Sequence, residues 1–396
     1  MGKLCMTLPP FSPDYSGVCS ALFPLNCLTV IHDGSGCTGN YTGYDEPRWF
    51  HSNSPIYCSG LREIDAILGD DEKLVQKVLC AIEEVKPEMI ALVGSPVPMV
   101  IGSDMDGIAA DIESRTGIPS FGFSTTGLKY YPQGIEQVDK KVVRRILEES
   151  EEIPQKRKNS VNILGATPID FGKSTTISDM EKLLTENGYD INVTFWSCAS
   201  VREIERSVHA ACNIVVSNGG FWLAEYMKKQ YDIPYVTGLP YGEAYGKVWL
   251  GQLRMCMEQG NSCQDDSILL PVKGKEQKDV AATNRKVLII GEQLQSNSLR
   301  LALEHQYGIG ADVAGICGWN QDYARETDRF METEADIQRT LNQEKYEMII
   351  GDFLYQELLH TEKKLIPYSH YAVSSKLGNE WSYSLIGEKL KQLKIS

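Results

Sequence analysis

The sequence has few features that would direct a protein to nucleic acid or to a membrane. Asp and Glu total 53 residues against 39 Lys and Arg, so the formal net charge is −14, and no basic cluster offers a surface for phosphate. No apolar stretch approaches the roughly 20 residues needed to cross a bilayer. The opening MGKLCMTLPPF has one lysine and no apolar run of signal-peptide length. We therefore expect a cytoplasmic protein with neither a nucleic-acid nor a membrane partner.

Several common cofactor motifs are also missing. No G-x-G-x-x-G follows a strand pattern and no H-E-x-x-H occurs, so neither a nicotinamide cofactor nor a hydrolytic zinc has a motif to support it. GATPIDFGKST comes nearest to a phosphate-binding loop, but six residues separate Gly165 from Gly172 where that loop requires four. This spacing cannot place Lys173 on a phosphate. An ordinary glycine-rich turn between a strand and a helix is the favoured interpretation.

The sequence does contain a regular alternation of helical patterns with short runs rich in Val and Ile, which is typical of parallel α/β sheets. DDEKLVQKVLCAIEEVKP is an amphipathic helix stopped by a proline, and MIALVG after it has the composition of a buried strand. A chain of 396 residues is also too long for a single hydrophobic core. The predicted fold is α/β, with three doubly wound Rossmann-like domains built on parallel sheets.

Two polar segments divide the chain. LEESEEIPQKRKNS and PVKGKEQKDVAATNR each precede a fresh strand pattern, which is typical of a domain boundary. The predicted domains are residues 1–156, which would bind a metal cluster, residues 157–275 and residues 276–396. In the second domain, Ser178 and Glu181 match a capping box and predict the start of a helix.

Eleven cysteines stand out in a sequence without an export signal. Cytosolic thiols are kept reduced, so metal binding, catalysis or burial must account for them. Cys80 and Cys212 lie among apolar neighbours and are predicted to be core residues. Five of the eleven fall within the first sixty residues, namely Cys5, Cys19, Cys27, Cys37 and Cys58.

The N-terminal group includes three cysteines, Cys19, Cys37 and Cys58, that are flanked by turn residues and aromatic side chains. In HDGSGCTGNYTG, four glycines surround Cys37 and leave the backbone free to bring amides close to a sulfur-rich cluster. Thiolates are the natural ligands of iron–sulfur clusters. Structural zinc is the alternative, but the close C-x₂-C pairs of zinc modules are absent from this region. We predict an iron–sulfur cluster held by these three thiols and completed across a subunit interface.

The same region resembles component 1 of nitrogenase and its relatives. DYSGVCSALFPLNCLTVIHDGSGCTGNY is similar to the segment in which a Gly-Ala-Leu run leads to a strand and then to an H-G-x-x-G-C turn. Cys37 falls on the cluster cysteine of that turn. CSGLREIDAILGDDEKL and LVGSPVPMVIGSDMDGIA resemble the next two segments of the family, and the likeness continues weakly through the rest of the chain.

The resemblance implies three Rossmann-like domains, a homodimer or a heterodimer with a homologous subunit, and electrons from a separate ATP-hydrolysing iron protein. A third cluster cysteine of the family corresponds here to Pro96 or its neighbour, and proline cannot bind iron. Cys19 and Cys58 are then the substitutes. Three cysteines from each of two subunits would suit a large shared cluster, and a four-iron [4Fe-4S] cluster held by fewer of them fits equally well.

The positions that anchor the family's iron–molybdenum cofactor read Ser217 and Ala372, so that cofactor is not expected. His370 lies two residues away, where a satisfied surface histidine is the favoured interpretation. Relatives that reduce tetrapyrrole rings suggest such a ring, or another low-potential compound, as the substrate, which no motif identifies.

The sequence thus predicts a nitrogenase-like oxidoreductase subunit that passes electrons from an iron protein through its cluster to a substrate. Asp33, Asp45 and Arg48 are candidates for positioning or protonation, although charged residues beside a cluster are more often structural. A non-catalytic scaffold for metallocluster assembly is the alternative function. A small-molecule-binding protein with coincidental cysteines is the third.

Overall fold

The computed structural model describes residues 5–52, 54–197, 200–259, 286–360 and 362–395. These residues form three parallel β-sheets with helices packed against them, which confirms the predicted α/β class. The three sheets draw their strands from residues 27–123, 160–237 and 287–367. The first predicted domain boundary, after residue 156, precedes the first strand of the second sheet. The boundary after residue 275 lies outside the described residues.

Every pairing between named strands is parallel, and the strand order in each sheet requires crossover connections. The order is β2-β1-β3-β4 in the first sheet, β6-β5-β7-β8 in the second and β11-β10-β9-β12-β13 in the third. The strands are β1 (Cys27–Ile31), β2 (Ile56–Cys58), β3 (Met89–Val93), β4 (Ser120–Phe123), β5 (Ser160–Leu164), β6 (Asp190–Thr194), β7 (Cys212–Val215), β8 (Tyr235–Thr237), β9 (Val287–Gly291), β10 (Ala311–Gly315), β11 (Arg329–Phe330), β12 (Met348–Gly351) and β13 (Lys364–Pro367).

Helices connect the strands, and no helix within the described ranges combines the length and the apolar character needed to cross a membrane. The α-helices are α1 (Asp14–Leu22), α2 (Gly36–Asn40), α3 (Glu63–Leu68), α4 (Asp71–Val85), α5 (Pro96–Ile101), α6 (Met105–Thr116), α7 (Tyr131–Val138), α8 (Arg144–Glu149), α9 (Pro168–Phe171), α10 (Thr176–Glu186), α11 (Val201–Arg206), α12 (Phe221–Tyr231), α13 (Glu243–Gln259), α14 (Gln293–Tyr307), α15 (Glu334–Leu341) and α16 (Tyr371–Ser374). Two π-helical turns, Tyr41–Asp45 and Asp139–Val143, and several 3₁₀ turns complete the connections.

The first sheet is covered on both faces, as its apolar strands require. Successive side chains of a strand point to opposite faces. Leu28 and Val30 of β1 pack in one apolar cluster with side chains of α4 and α6, whereas Cys27 and Ile31 pack in the main core with α1 and α7. Because both faces of the sheet are buried at β1, the sequence of this strand is a nearly continuous apolar run.

Local capping determines where several helices begin. The predicted helix over DDEKLVQKVLCAIEEVKP is confirmed as α4, whose first turn is capped by the Asp70 carboxylate accepting the amide of Lys73 at 3.2 Å. The predicted capping box at Ser178 and Glu181 is wrong. α10 begins at Thr176 with Thr175 as its N-cap residue, and Ser178 lies within the first turn, donating to the carbonyl of Thr175.

The closest approach between helices in the first domain is that of α1 with α7. A Cβ atom added to Gly134 would lie 1.9 Å from the carbonyl oxygen of Asp14, and one added to Gly17 would lie 2.0 Å from the carbonyl oxygen of Tyr131. Both obstacles are backbone atoms, which cannot move aside as a side chain can. The two glycines therefore let α1, which carries the segment before β1, sit directly on α7.

We predict that Gly134→Ala lowers the free energy of unfolding by about 1–3 kcal/mol, the usual cost of overpacking, despite a gain in helix propensity of about 1 kcal/mol. Gly251→Ala in α13 is the matched control, because its added Cβ meets no atom within 4 Å. Gly251→Ala should leave the free energy of unfolding unchanged or raise it. Urea denaturation of both variants measures the difference, and equal stability of the two would contradict the close packing of α1 on α7.

Candidate functional site

The candidate site lies at the carboxyl ends of three adjacent strands of the first sheet. Cys58 is the last residue of β2 and stands opposite Ile31, the last residue of β1. Cys37 lies in the first turn of α2, which follows β1, and Ser95 follows β3 as the N-cap residue of α5. Because the carboxyl ends of parallel strands meet at one edge of a sheet, residues far apart in sequence are brought together there.

Asp33 positions the turn that carries Cys37. One oxygen of its carboxylate, Oδ2, accepts the backbone amides of Ser35 at 3.0 Å, Cys37 at 2.8 Å and Thr38 at 3.2 Å. Ser35 has a φ of 138°, which a residue with a side chain rarely adopts. The three hydrogen bonds offset that strain, so the predicted role of Asp33 as a positioning residue agrees with its contacts.

The sulfur of Cys37 is half-buried and surrounded by polar hydroxyl groups. The hydroxyl groups of Tyr15 and Ser95 lie beside it, and Cys58 lies close enough to interact electrostatically. Burial and the negative charge of Asp33 raise the pKa of the Cys37 thiol, while the two hydroxyl groups lower it. Those hydroxyl groups therefore favour the thiolate that metal binding requires.

Cys58 is also half-buried, and its sulfur contacts backbone atoms. The amide of Gly60 donates to Cys58 Sγ at 3.4 Å, and the carbonyl oxygen of Asp33 lies 3.3 Å from the same sulfur. Amide hydrogen bonds to sulfur are among the groups with which proteins adjust iron–sulfur potentials. Cys37 and Cys58 thus form a pair of neighbouring thiols with Asp33 between them.

Cys19, the third predicted ligand, is not part of this pair. It is fully buried within α1, and its electrostatic neighbours are Cys27, Glu46 and Asp45. Burial raises the pKa of its thiol well above the ordinary value. In the part of the chain that the structure describes, no group of three or more His, Cys, Asp and Glu side chains is arranged to hold a metal ion. The structure therefore brings Cys37 and Cys58 together and leaves Cys19 in the core.

The two other charged candidates attach the site loop to the core. Asp45 is buried and accepts hydrogen bonds from Ser12, Ser16 and Asn40, and burial raises its pKa to about 6. The amide of Asn40 also reaches the hydroxyl of Tyr15 at 3.4 Å, which links Asp45 to the Cys37 sulfur through two side chains.

Arg48 joins the same loop to neighbouring elements. It forms an ion pair with Glu46 at 2.7 Å, and its guanidinium donates to the carbonyls of Ser20 at 2.8 Å and Trp196 at 2.9 Å. These contacts connect the loop to α1 and to the turn after β6. The observed role of Arg48 is structural.

Exposed apolar side chains lie on the two helices that follow β2 and β3. They lie on α3, which begins shortly after Cys58, and on α5, which begins after Ser95. The two helices line one depression together with His32 and Ser59. We call this surface the apolar collar; it consists of Ile64, Ile67, Leu68, Val97 and Val100, which are between 46% and 76% exposed. Contiguous apolar surface of this kind is typical of an interface.

Sequence reasoning missed Tyr15 and Ser95 as neighbours of Cys37. Tyr15 precedes Cys37 by a helix and a strand, and no motif links the two residues. Ser95 carries a weak signal, because it is the residue next to Pro96 at the position where a third cysteine is expected. Its hydroxyl also donates to the carbonyl of His32 at 2.9 Å, which ties the start of α5 to the end of β1.

The residues present fit an iron–sulfur cluster at this edge. Two half-buried thiols lie side by side, with hydroxyl groups beside one sulfur and an amide that donates to the other. Added Cβ atoms at Gly36, Gly39 and Gly43 would meet no atom within 4 Å, so open space adjoins the loop. Two thiols are half of the four ligands that such clusters usually have.

The family model "Nitrogenase component 1 type Oxidoreductase" matches residues 14–365. The cofactor biosynthesis protein NifE of Methanosarcina barkeri is 23% identical over 244 residues, which cover 58% of this chain and 51% of that protein. A light-independent protochlorophyllide reductase subunit of Leptolyngbya boryana is 20% identical over 276 residues, covering 65% of this chain and 54% of the relative. The chain thus spans about half the length of these curated relatives.

The solved structure described as "Nitrogenase Cp1 at pH 6.5" superimposes with a TM-score of 0.66. The match covers 94% of this chain and 86% of the other at 16% sequence identity. At that identity the likeness concerns the fold.

We predict that Asp33→Ala releases the turn around Cys37. Loss of a capping carboxylate costs about 0.5–2 kcal/mol locally, so amide hydrogen exchange at residues 35, 37 and 38 should accelerate several-fold. Asp104→Ala is the matched control, since Asp104 caps α6 through the amide of Gly107 at 3.0 Å and should affect that helix alone. Unchanged exchange at residues 35–38 in Asp33→Ala would show that the carboxylate does not organise the turn.

Proposed function

We propose, from the premise that this chain belongs to the nitrogenase component 1 type oxidoreductase family, that it is an electron-accepting subunit of a nitrogenase-like reductase. An ATP-hydrolysing iron protein delivers electrons, and the chain passes them to a substrate. The observation that carries the proposal is the pair of half-buried thiols, Cys37 and Cys58, at the carboxyl edge of the first sheet.

In this proposal, the thiolates of Cys37 and Cys58 hold an iron–sulfur cluster, which supplies one-electron storage and transfer when bound. The hydroxyl groups of Tyr15 and Ser95 lower the pKa of Cys37 and so favour its thiolate. The amide of Gly60 donates a hydrogen bond to the sulfur of Cys58. Asp33 fixes the position of Cys37 relative to Cys58, because its carboxylate accepts the backbone amide of Cys37 in the first turn of α2.

A homologous partner chain supplies the remaining ligands in this proposal. Two thiols from each chain would complete a four-iron cluster, which we favour over the larger shared cluster that three cysteines per chain would require. The apolar collar supports the partner, because its exposed side chains lie on α3 and α5, which follow the strands at this edge, and would be covered when two such edges meet. Both a homodimer and a heterodimer meet this requirement.

A metallocluster assembly scaffold is the second candidate function, and the similarity to the NifE cofactor biosynthesis protein favours it. The two functions differ in what leaves the protein. Reduction of the cluster by an iron protein with ATP, followed by reoxidation by a substrate such as a tetrapyrrole, supports the reductase. Transfer of the whole cluster to an acceptor protein supports the scaffold.

We predict that Cys37→Ser and Cys58→Ser each abolish cluster binding, because a hydroxyl is a poor substitute for a thiolate on iron. Cys19→Ala should keep its iron and sulfide, since Cys19 is buried away from the pair. Cys80, which the sequence predicts to be a core residue, is exposed on α4, so Cys80→Ser is the control for an exposed thiol. Iron and sulfide analysis of protein purified without oxygen measures all four. Loss of iron in Cys19→Ala, with iron retained in Cys58→Ser, would overturn the assignment of the pair.

We also predict that Val100→Asp, in the apolar collar, weakens association of the chain by at least tenfold, because the new carboxylate would be buried unpaired at the interface. Ile153→Asp is the matched control, because Ile153 is 82% exposed but lies in the segment between the first two sheets. Sedimentation velocity under anaerobic conditions gives the dissociation constants. Equal changes in the dissociation constant for the two substitutions would show that the apolar collar is not part of the interface.

A further inference from the structure

A second concentration of polar side chains lies where the second and third sheets face each other. Each member follows the carboxyl end of a strand: Asp170 comes after β5, Ser217 after β7, Glu292 after β9 and His370 after β13. All four residues are at most 6% exposed. Buried polar groups away from the thiol pair require an explanation of their own.

Asp170 is the centre of this group. Its carboxylate accepts the hydroxyl of Tyr131 at 2.5 Å, that of Thr167 at 2.5 Å and that of Ser217 at 3.1 Å. The hydroxyl of Ser217 also lies 2.8 Å from the carbonyl oxygen of Gly165. Ser217, at the position where the resemblance would have placed a cofactor cysteine, therefore serves as a contact of a buried carboxylate.

Glu292 is the second buried carboxyl group. Its Oε1 accepts the backbone amide of Asn218 at 2.9 Å and the side-chain amide of the same residue at 2.6 Å, and its Oε2 accepts the amide of Gln295 at 2.9 Å. Asn218 directly follows Ser217, which contacts Asp170. One short segment after β7 thus holds both carboxyl groups, and the charge of Asp170 acts on Glu292.

His370 points an unpartnered nitrogen at this pair, contrary to its predicted place on the surface. Its Nδ1 accepts the amide of Ala372 at 3.2 Å, so a neutral imidazole carries its proton on Nε2. Nε2 lies 3.8 Å from Asp170 Oδ1 and has no hydrogen-bond partner among the described residues. The side chain is 7% exposed, and a buried donor without a partner is a functional signal.

We infer that Asp170, Glu292 and His370 form an interior proton-donating site, which supplies protons to a substrate reduced between the second and third sheets. The inference rests on the proposed reductase function. A reductase must deliver protons as well as electrons, and the thiol pair supplies none. This site is separate from the thiol pair. It gives a function to buried polar residues of the second and third sheets that electron transfer through the thiol pair does not require.

Two buried carboxyl groups whose charges interact resist ionising together, because ionising both places like charges in a medium of low dielectric constant. Burial first, and then the charge of Asp170, raises the pKa of Glu292 to about 8, whereas its amide donors lower it. Glu292 therefore holds a proton at neutral pH. The other titratable groups around the carboxyl pair are Tyr131, Cys317, Tyr241, His370 and Asp352.

The proton balance of the step is simple. Reduction of a double bond adds two electrons and two protons to the substrate. The electrons come from the ATP-dependent iron protein. One proton leaves Glu292, which becomes a carboxylate, and solvent water supplies the second; the Nε2–H of His370 can donate a hydrogen bond to the substrate in the process. Water then reprotonates the site.

The test uses infrared spectroscopy on the full chain purified without any electron donor. The C=O stretch of a protonated, buried carboxyl group should be present at neutral pH and should disappear as the pH rises through about 8. Glu292→Gln should remove the component of this band that disappears near pH 8, whereas the buried carboxyl group of Asp139, whose pKa burial also raises, gives a component that the variant retains. Asp170→Asn, which removes the neighbouring charge, should shift the disappearance of the Glu292 component to lower pH. Glu347→Gln, at an exposed carboxylate, is the control and should leave the band unchanged.

A component near pH 8 that persists in Glu292→Gln, or the absence of that component from the parent protein, would overturn the inference whatever the activity. Circular dichroism confirms that each variant is folded. In cluster-loaded protein with an iron protein and a tetrapyrrole as the probe substrate, Glu292→Gln should slow substrate reduction at least tenfold and flatten its pH profile, with electron uptake from the iron protein unchanged. An unaltered pH profile would also overturn it. Protein that shows the band but accepts no electrons would instead refute the proposed reductase function.

Discussion

The parallel direction of the strands determines where the chemically useful side chains of this protein lie. Each sheet places the carboxyl ends of its strands along one edge, and the residues that follow those ends converge there. In the first sheet they include Cys37, Cys58 and Ser95. In the second and third sheets they include Asp170 and Glu292. The electron transfer and proton supply that we propose would therefore lie at separate edges of the sheets.

Within the first edge, a single carboxylate sets the geometry on which the proposed cluster depends. Asp33 contacts both cysteines: its carboxylate accepts the backbone amide of Cys37, and its backbone carbonyl oxygen lies 3.3 Å from the sulfur of Cys58. Tyr15 reaches the same site from α1, which can approach only because α7 has glycine at position 134. The packing of α1 on α7 therefore determines whether Tyr15 reaches Cys37. A substitution that separates the two helices should also change the surroundings of the Cys37 thiol.

The sequence alone predicts the fold class and the Cys37 turn, because both depend on local patterns of apolar residues and glycines. The structure places Cys19 in the core, which the sequence does not indicate: every residue of α1 is buried, so no amphipathic pattern marks that cysteine as a core residue. The polar neighbours of His370 predict a surface position, but this histidine caps α16 in the interior. The proximity of Tyr15 to Cys37 depends on tertiary packing, which no local pattern reports.

The central claim is that each chain contributes two thiols and that a second chain completes the cluster. Native mass spectrometry of anaerobically purified protein, together with any partner chain that copurifies, tests this claim most directly. We expect a two-chain assembly that carries one cluster, and single chains without iron after the assembly is dissociated. A single chain that retains a complete cluster would contradict the claim.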